Sequence, residues 1–389
     1  MSARLPARAR ELLDYCRCAL EFGFARNWRS YDPYDLLSAA GGDWLRSRST
    51  VAARCVVQVG LRSGERLRRT AGMRPHEEAK AIADFLSASV VLSSGSASPP
   101  PYALQLVNRL EQLSICLPKG RGWGLSFPYA SRFVSVPAGT PNAYTTITCV
   151  KALADASRCM GDEGLLRLAL EGARTIDEDL GLVCRGSASW FRYWPGVDTC
   201  IVNVQALIAG CFQELGTLAD DEGLLIRAAM AAEVAMTAQR EDGSFPYAVD
   251  RRGAFVDAFH TGFVLEGLGR FHAQRADDVG ARAGMAVSRG MEYLRAHLMA
   301  ADSAPRRCPD GPVALDGQNI GQLVQTLAVC GKESDRASAL AVWDLWTAQA
   351  RRLGARPSGS RARMVSMRWD VSPTALAAAR LAAGLGGPP

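Results

Sequence analysis

The sequence predicts an all-α protein, an (α/α)6 toroid of helical hairpins. Three observations predict it: an internal repeat, evenly spaced helix starts behind long loops, and a composition suited to a large core. The repeat is the strongest of the three. Gly161-Asp-Glu-Gly-Leu-Leu-Arg167 returns as Asp220-Asp-Glu-Gly-Leu-Leu-Ile-Arg227, so Asp162 and Asp221 stand 59 residues apart. Acidic residues in a first turn complement the helix dipole, and the Leu/Ala pattern that follows has helical period, so each copy opens a helix. Ser126-Phe-Pro-Tyr129 returns as Ser244-Phe-Pro-Tyr247, 118 residues on, with the aromatic run Trp190-Phe-Arg-Tyr193 between them.

Taken in order, helical patterns run over Leu5 to Phe22, Val51 to Leu61, Pro75 to Leu92 and Tyr102 to Leu113. Small-residue helices then begin near Asn142, Asn203, Asp257, Gln318 and Trp369, at spacings of 61, 54, 61 and 51. A pair of helices with one apolar face each cannot bury that face alone, so neighbouring pairs must stack. The upstream helices are expected to supply what is needed to close a ring of about six hairpins over one domain, residues 11–384, with 1–10 and 385–389 as flexible termini. An open superhelix of tetratricopeptide or HEAT type is the alternative. Those repeats run about 34 to 47 residues with short connections, whereas here the loops between pairs are long and aromatic.

The 389 residues are 48% hydrophobic and 22% charged, as in a soluble globular protein. The basic start, Met1 to Arg10, runs straight into Glu11 and Asp14 with no apolar stretch, and no segment approaches a membrane span, so a cytoplasmic protein without an integral membrane segment is expected. A formal charge of +6 built from scattered arginines argues against nucleic-acid binding. Eleven irregularly spaced cysteines read as reduced, and four dispersed histidines offer no convergent ligand set, so neither metal nor cofactor is expected. The oligomeric state is not legible.

The chemistry-bearing candidates cluster at helix starts. Tyr31-Asp-Pro-Tyr-Asp35 packs two carboxylates and two phenols around a proline; Asp32 or Asp35 either caps a helix or serves as an acid or base. Asp257-Ala-Phe-His-Thr-Gly-Phe263 opens an inner helix, and His260 is the one histidine expected at the mouth of the ring; His76, His272 and His297 read as outer helical residues. Asn142, Asn203, Asp242, Asp257 and Asp316 recur at or near one place in each repeat, while Trp123, Trp190, Phe245 and Tyr247 bring aromatic faces. Sugars bind by laying CH-rich faces on aromatic rings while Asp, Asn, Gln and Arg take the hydroxyls, so a glycan or glycan precursor is the expected partner.

The chain resembles a bacterial and archaeal toroid family, six-hairpin glycosidase-like, found beside polysaccharide-biosynthesis genes and sometimes labelled aminolevulinate dehydratase or prenyltransferase-like. The resemblance rests on Tyr31 to Asp35, on Trp123 through Tyr144, on Gln239 to Phe245 followed by Asp257 to Phe263, and on Arg368-Trp369. It implies one toroid domain covering nearly the whole chain. From their places at the junctions of long loops and inner helices, Asp32, Asp35, Asp257, His260 and Asp316 are expected as catalytic residues, with Tyr31, Tyr34, Gln318, Arg368, Trp369 and the aromatic and amide residues above contacting substrate. Two departures stand out. Asp316-Gly-Gln318 replaces an Asp-x-His, and Asp370-Val-Ser-Pro373 replaces Ser-Gln-Ala-Trp.

Three functions follow. A carbohydrate-active enzyme of the hydrolase, lyase or epimerase kind leads; a non-catalytic glycan-binding or assembly protein is favoured by the missing histidine; an isoprenoid cyclase is opposed by the absence of Asp-x-Asp-Asp. The site residues are expected to converge at one mouth, Asp257 orienting His260, Asp32 or Asp35 opposing it, and Arg368 holding an anionic group.

Overall fold

The computed structural model describes residues 6–94, 99–186, 188–250, 254–352 and 364–386. Along these the helices run α1 (Ala7–Ala25), α2 (Gly42–Arg48), α3 (Thr50–Gly60), α4 (Glu65–Thr70), α5 (Ala79–Ser93), α6 (Ala103–Leu113), α7 (Ala143–Met160), α8 (Glu163–Arg174) and α9 (Val202–Ala219). They continue as α10 (Glu222–Thr237), α11 (Ala258–Ala273), α12 (Asp278–His297), α13 (Gly317–Cys330), α14 (Glu333–Arg352) and α15 (Ser372–Gly384). The strands among the described residues are three two-stranded antiparallel hairpins: β1–β2 (Ile115–Cys116, Arg121–Gly122), β3–β4 (Tyr129–Ala130, Ser135–Val136) and β5–β6 (Leu182–Arg185, Ala188–Phe191).

Odd-numbered helices from α5 to α15 form the inner ring: each packs on the next, and α15 returns to α5. Their burial differs from that of the outer helices in the way the ring demands. In α9 nearly every side chain from Val202 to Leu215 is buried, whereas α8 buries one stripe, Leu165, Leu168, Ala169, Gly172 and Ala173. At Gly267 a Cβ would lie 2.2 Å from the Ala206 carbonyl oxygen, so glycine is what lets α9 and α11 approach so closely. Asp162 and Asp221, the repeated acids, cap α8 and α10 by accepting backbone N–H groups from Gly164 and Leu224.

The sixth hairpin joins the two ends of the chain. Helix α1 packs on α15, with the Tyr15 hydroxyl 3.0 Å from Thr374 Oγ1. Residues 7–10, expected to be flexible, therefore belong to the first turn of α1, with Ala9 fully buried; residues 1–5 and 387–389 lie outside the described residues. The segment Val51 to Leu61 also departs from expectation. It does not join the ring: α3 packs on α2, on the 3-10 turn Asp35–Ser38 and on β3, and so builds a wall above the inner helices. Helix α5 starts at Ala79, four residues after Pro75, because Ser30 and His76 pair as a β-bridge and hold 73–78 extended. Among the described residues no helix is long and apolar enough to cross a membrane.

Candidate functional site

All the inner helices run the same way, so their first turns and the loops before them meet at one end. There they border a cavity of about 910 Å3, lined by the starts of α7, α9, α11 and α13, by the loops before them, by Arg368 and Trp369 ahead of α15, and by α3. Of the residues expected at the site, Tyr34, Asn142, Asn203, Tyr247, Asp257, His260, Gln318, Arg368 and Trp369 line it. Convergence at one mouth thus joins residues more than 330 positions apart in sequence.

Other expected residues stand elsewhere. Asp32 and Asp35, expected as the opposing acid or base, do not line the cavity and are almost wholly buried. Asp32 receives Arg368 Nε at 2.7 Å and Nη2 at 2.8 Å, so Arg368, expected to hold a substrate anion, is committed to this carboxylate. Burial would raise the Asp32 carboxyl, but the Arg368 charge and hydrogen bonds, with the Tyr34 N–H, hold it below its ordinary value. Asp35 receives Arg68 Nε at 2.6 Å. Tyr31 donates to the Met73 carbonyl oxygen, Trp123 donates its indole N–H to that of Leu110, and Phe245 packs into the core; none of the three lines the cavity. Trp190 donates to the Asp198 carbonyl oxygen, Asp242 caps the turn at Ser244, and Asp316 caps α13 through Asn319 N–H; none lines the cavity.

His76 overturns its reading as an outer helical residue. It sits between Asp35 Oδ2 at 3.3 Å and Glu78 Oε1 at 3.0 Å, with Ser126 Oγ at 3.1 Å. Burial alone would lower it, yet the hydrogen bonds and charges of the two carboxylates raise the imidazole to about 10. The two carboxylates thus keep an imidazolium between them, outside the cavity lining.

At Asp257–His260 the geometry is open. Asp257 Oδ1 accepts the His260 backbone N–H and Oδ2 lies 2.7 Å from Nδ1, so helix capping and imidazole orientation come from one carboxylate. Burial opposes the Asp257 charge, but His260 and Arg307 together hold its carboxyl below the ordinary value. The ring of His260 is a quarter exposed and stands edge-on to Tyr247, 4.5 Å between centroids. Asp257 engages Nδ1, and among the described residues no protein group is hydrogen-bonded to Nε2.

The walls are rich in aromatic groups. Tyr129 stacks on Trp194 at 6.3 Å and Tyr247 on Phe255 at 5.0 Å, which offers flat apolar faces. Burial pushes up the phenols of Tyr34, Tyr129, Tyr144, Tyr193 and Tyr247, so all remain protonated donors at neutral pH. Tyr129 was signalled by its repeat with Tyr247. Four arginines, Arg54, Arg132, Arg307 and Arg368, reach the lining, against one carboxylate, Asp257. No group of three or more His, Cys, Asp or Glu gathers as a metal site among the described residues.

The chain matches no known family profile and no curated protein. Solved structures do share its shape. A sugar epimerase from a ruminal bacterium is 15% identical, with 71% of this chain and 78% of that chain covered and a TM-score of 0.54. A polysaccharide lyase is 12% identical over 80% and 92%, with a TM-score of 0.57. A family 88 glycosyl hydrolase from Bacteroides vulgatus is 10% identical over 79% and 91%, with a TM-score of 0.54. At such identities the likeness speaks for the fold: the chain is an (α/α)6 toroid, an architecture it has in common with carbohydrate-active epimerases, lyases and hydrolases.

Proposed function

We propose that this protein is a carbohydrate-active enzyme that takes a proton from a sugar carbon, as a β-eliminating lyase or an epimerase does, and that its substrate is a short anionic saccharide. The observation that carries the reading is the Asp257–His260 pair opening onto a cavity with arginines and protonated phenols. A carboxylate that holds Nδ1–H leaves Nε2 as the base. Two-carboxylate glycoside hydrolysis requires a second acid about 5 to 9.5 Å away. Asp257 is the one carboxylate in the described lining, and both its oxygens face His260. Hydrolysis of that kind is therefore the weaker reading.

Proton abstraction needs an acidified C–H beside a carbonyl or carboxylate, a base, and cations or donors that hold the developing oxyanion. Here His260 Nε2 takes the proton, and Arg307, beside the pair, holds the substrate anion. A neutral phenol across the cavity gives a proton either to the departing glycosidic oxygen, which leaves a C=C bond, or to the opposite face of the carbon, which inverts it. Proton loss and gain balance in both cases.

A non-catalytic glycan-binding protein is the second reading, favoured by Gln318, since a carboxamide cannot relay a proton. Incubation of the protein in D2O with uronate-bearing and neutral oligosaccharides, followed by NMR, separates the two. Deuterium at a sugar carbon or a new unsaturated uronate, both lost in His260→Ala, supports the enzyme. Saccharide binding without exchange or elimination transfers the site to the binding reading. Absence of any saccharide binding overturns both.

A further inference from the structure

The lining of the cavity carries more positive charge than the proposed reaction uses. Arg368 is committed to Asp32, and Arg307 stands beside Asp257, 3.7 Å from Asp316 Oδ2. Arg54 and Arg132 remain, while the one lining carboxylate, Asp257, turns both oxygens to His260. Arg54 is exposed, and among the described residues its side chain has no ion pair or hydrogen bond. Cations of one sign on a concave wall focus their field into the space they border, which draws an anion there.

Helix α3 and the β3–β4 hairpin place these two cations on one wall. Val51, Arg54, Cys55 and Gln58 line the cavity at spacings of three and four residues, so they share one face of α3. Ala53 and Val57 pack in one apolar cluster with Leu37 and with Ala130 of β3, and Arg132 follows Ala130 by two residues. The two guanidiniums thus come from elements that are packed on one another. The Arg132 guanidinium carbon lies 5.2 Å from the ring centre of Phe133 and 5.0 Å from that of Phe255. Phe255 in turn stacks on Tyr247, and its ring centre is 6.2 Å from that of His260. Arg307 therefore stands at the Asp257–His260 pair, and Arg132 is set off from His260 by an aromatic ring.

We infer that Arg54 and Arg132 form a second anion subsite, separate from the anion that Arg307 holds, and that the substrate carries two anionic groups. One is on the sugar that meets His260; the other is further along the molecule, as a carboxylate on a neighbouring unit or as a phosphate ester. The inference rests on the carbohydrate reading above and narrows its substrate. Arginine suits the task because its planar fork donates two parallel hydrogen bonds to a carboxylate or a phosphate. Phe255, in reach of both Arg132 and His260, offers the sugar between the two anions an apolar face. Arg54 and Arg132 bind and orient; neither takes part in the proton transfer.

Calorimetric titration tests this with di- and trisaccharides that have a uronate at each end, with the forms in which one or the other uronate is a neutral hexose, and with monouronates carrying a phosphate ester. A doubly charged ligand is expected to bind about ten-fold more tightly than either singly charged form, the scale of one hydrogen bond to a charged group. That advantage should shrink as ionic strength rises. Arg54→Gln and Arg132→Gln should each reduce it about three- to ten-fold, the range for a charge-assisted hydrogen bond at a partly exposed site. Whichever doubly charged ligand shows the advantage identifies the second group as carboxylate or phosphate. Circular dichroism confirms that each variant is folded; should Arg132→Gln fail to fold, Arg54→Gln carries the measurement, and the ligand series needs no variant. Equal binding of singly and doubly charged ligands to wild-type protein, or an advantage that the folded variants keep in full, overturns the second subsite and leaves the carbohydrate reading standing. Failure of every saccharide to bind wild-type protein removes that reading and the inference with it.

Discussion

Two acidic turns at the same end of the ring look alike in sequence and become opposite things in space. Tyr31 to Asp35 and Asp257 to Phe263 both place an aspartate near a helix start among aromatic residues. In the first, cations from distant parts of the chain arrive: Arg368 on Asp32, and Arg68 with His76 on Asp35. Every oxygen is then answered and the turn is sealed. In the second, both Asp257 oxygens face a residue three positions on, and the free edge of that imidazole looks into the cavity. The lesson is that a carboxylate becomes available for chemistry when no guanidinium is packed against it, and local sequence is silent about which guanidinium will come.

Breaking the sealed turn should have the largest effect on the protein. Arg368→Ala leaves Asp32 buried without its partner, and loss of one member of a buried pair costs about 3–5 kcal/mol. Urea denaturation should show that loss, and a shift under 1 kcal/mol, the scale of a surface pair, would mean the turn is solvated. Because Arg368 also lines the cavity, Arg68→Ala is the companion variant, with a comparable loss expected by the same reasoning.

At the open turn the effect should move from stability to chemistry. His260→Ala keeps the Asp257 cap, since the cap uses the backbone N–H of residue 260. The melting temperature should stay nearly unchanged while turnover falls about 10²–10⁴-fold, the range for loss of a general base. A large fall in melting temperature with ligand binding intact would return the dyad to a structural role and erase the contrast between the turns.

The pH dependence of stability sharpens the comparison further. The imidazole of His76 is raised to about 10 in the folded protein, so its contribution is complete below the ordinary histidine value of about 6.5 and is lost as pH climbs through about 10. Asp32 and Asp257 are lowered, so theirs is present above about 3.9 and is lost as pH falls through their depressed folded values. Chemical denaturation from pH 5 to 10.5 should therefore show an alkaline decline that His76→Gln flattens. An unchanged decline in His76→Gln would show that Asp35 and Glu78 do not hold this imidazole charged.

The smallest effect is expected at Asp242, which caps an exposed turn away from the cavity. Asp242→Ala should change stability by less than about 1 kcal/mol and saccharide binding not at all. Loss of binding there would extend the site beyond the cavity.

What the sequence determined by itself was the ring. A 59-residue repeat of capped helices, one set buried on all faces and the other on a stripe, has few ways to hide its apolar surface, and a closed toroid is one of them. The first turns of the inner helices were legible too, because caps such as Asn142, Asp257 and Asp316 are local chemistry. Tertiary structure decided which of those residues face the cavity and which are consumed by the fold. It made α3 a wall, tied Asp32 to Arg368 across 336 positions, enclosed His76 between Asp35 and Glu78, and left Asn142, Asn203 and Gln318 with unanswered atoms. The physical reason is that capping depends on neighbours three residues away, whereas desolvation and charge pairing depend on whatever the closed ring brings alongside.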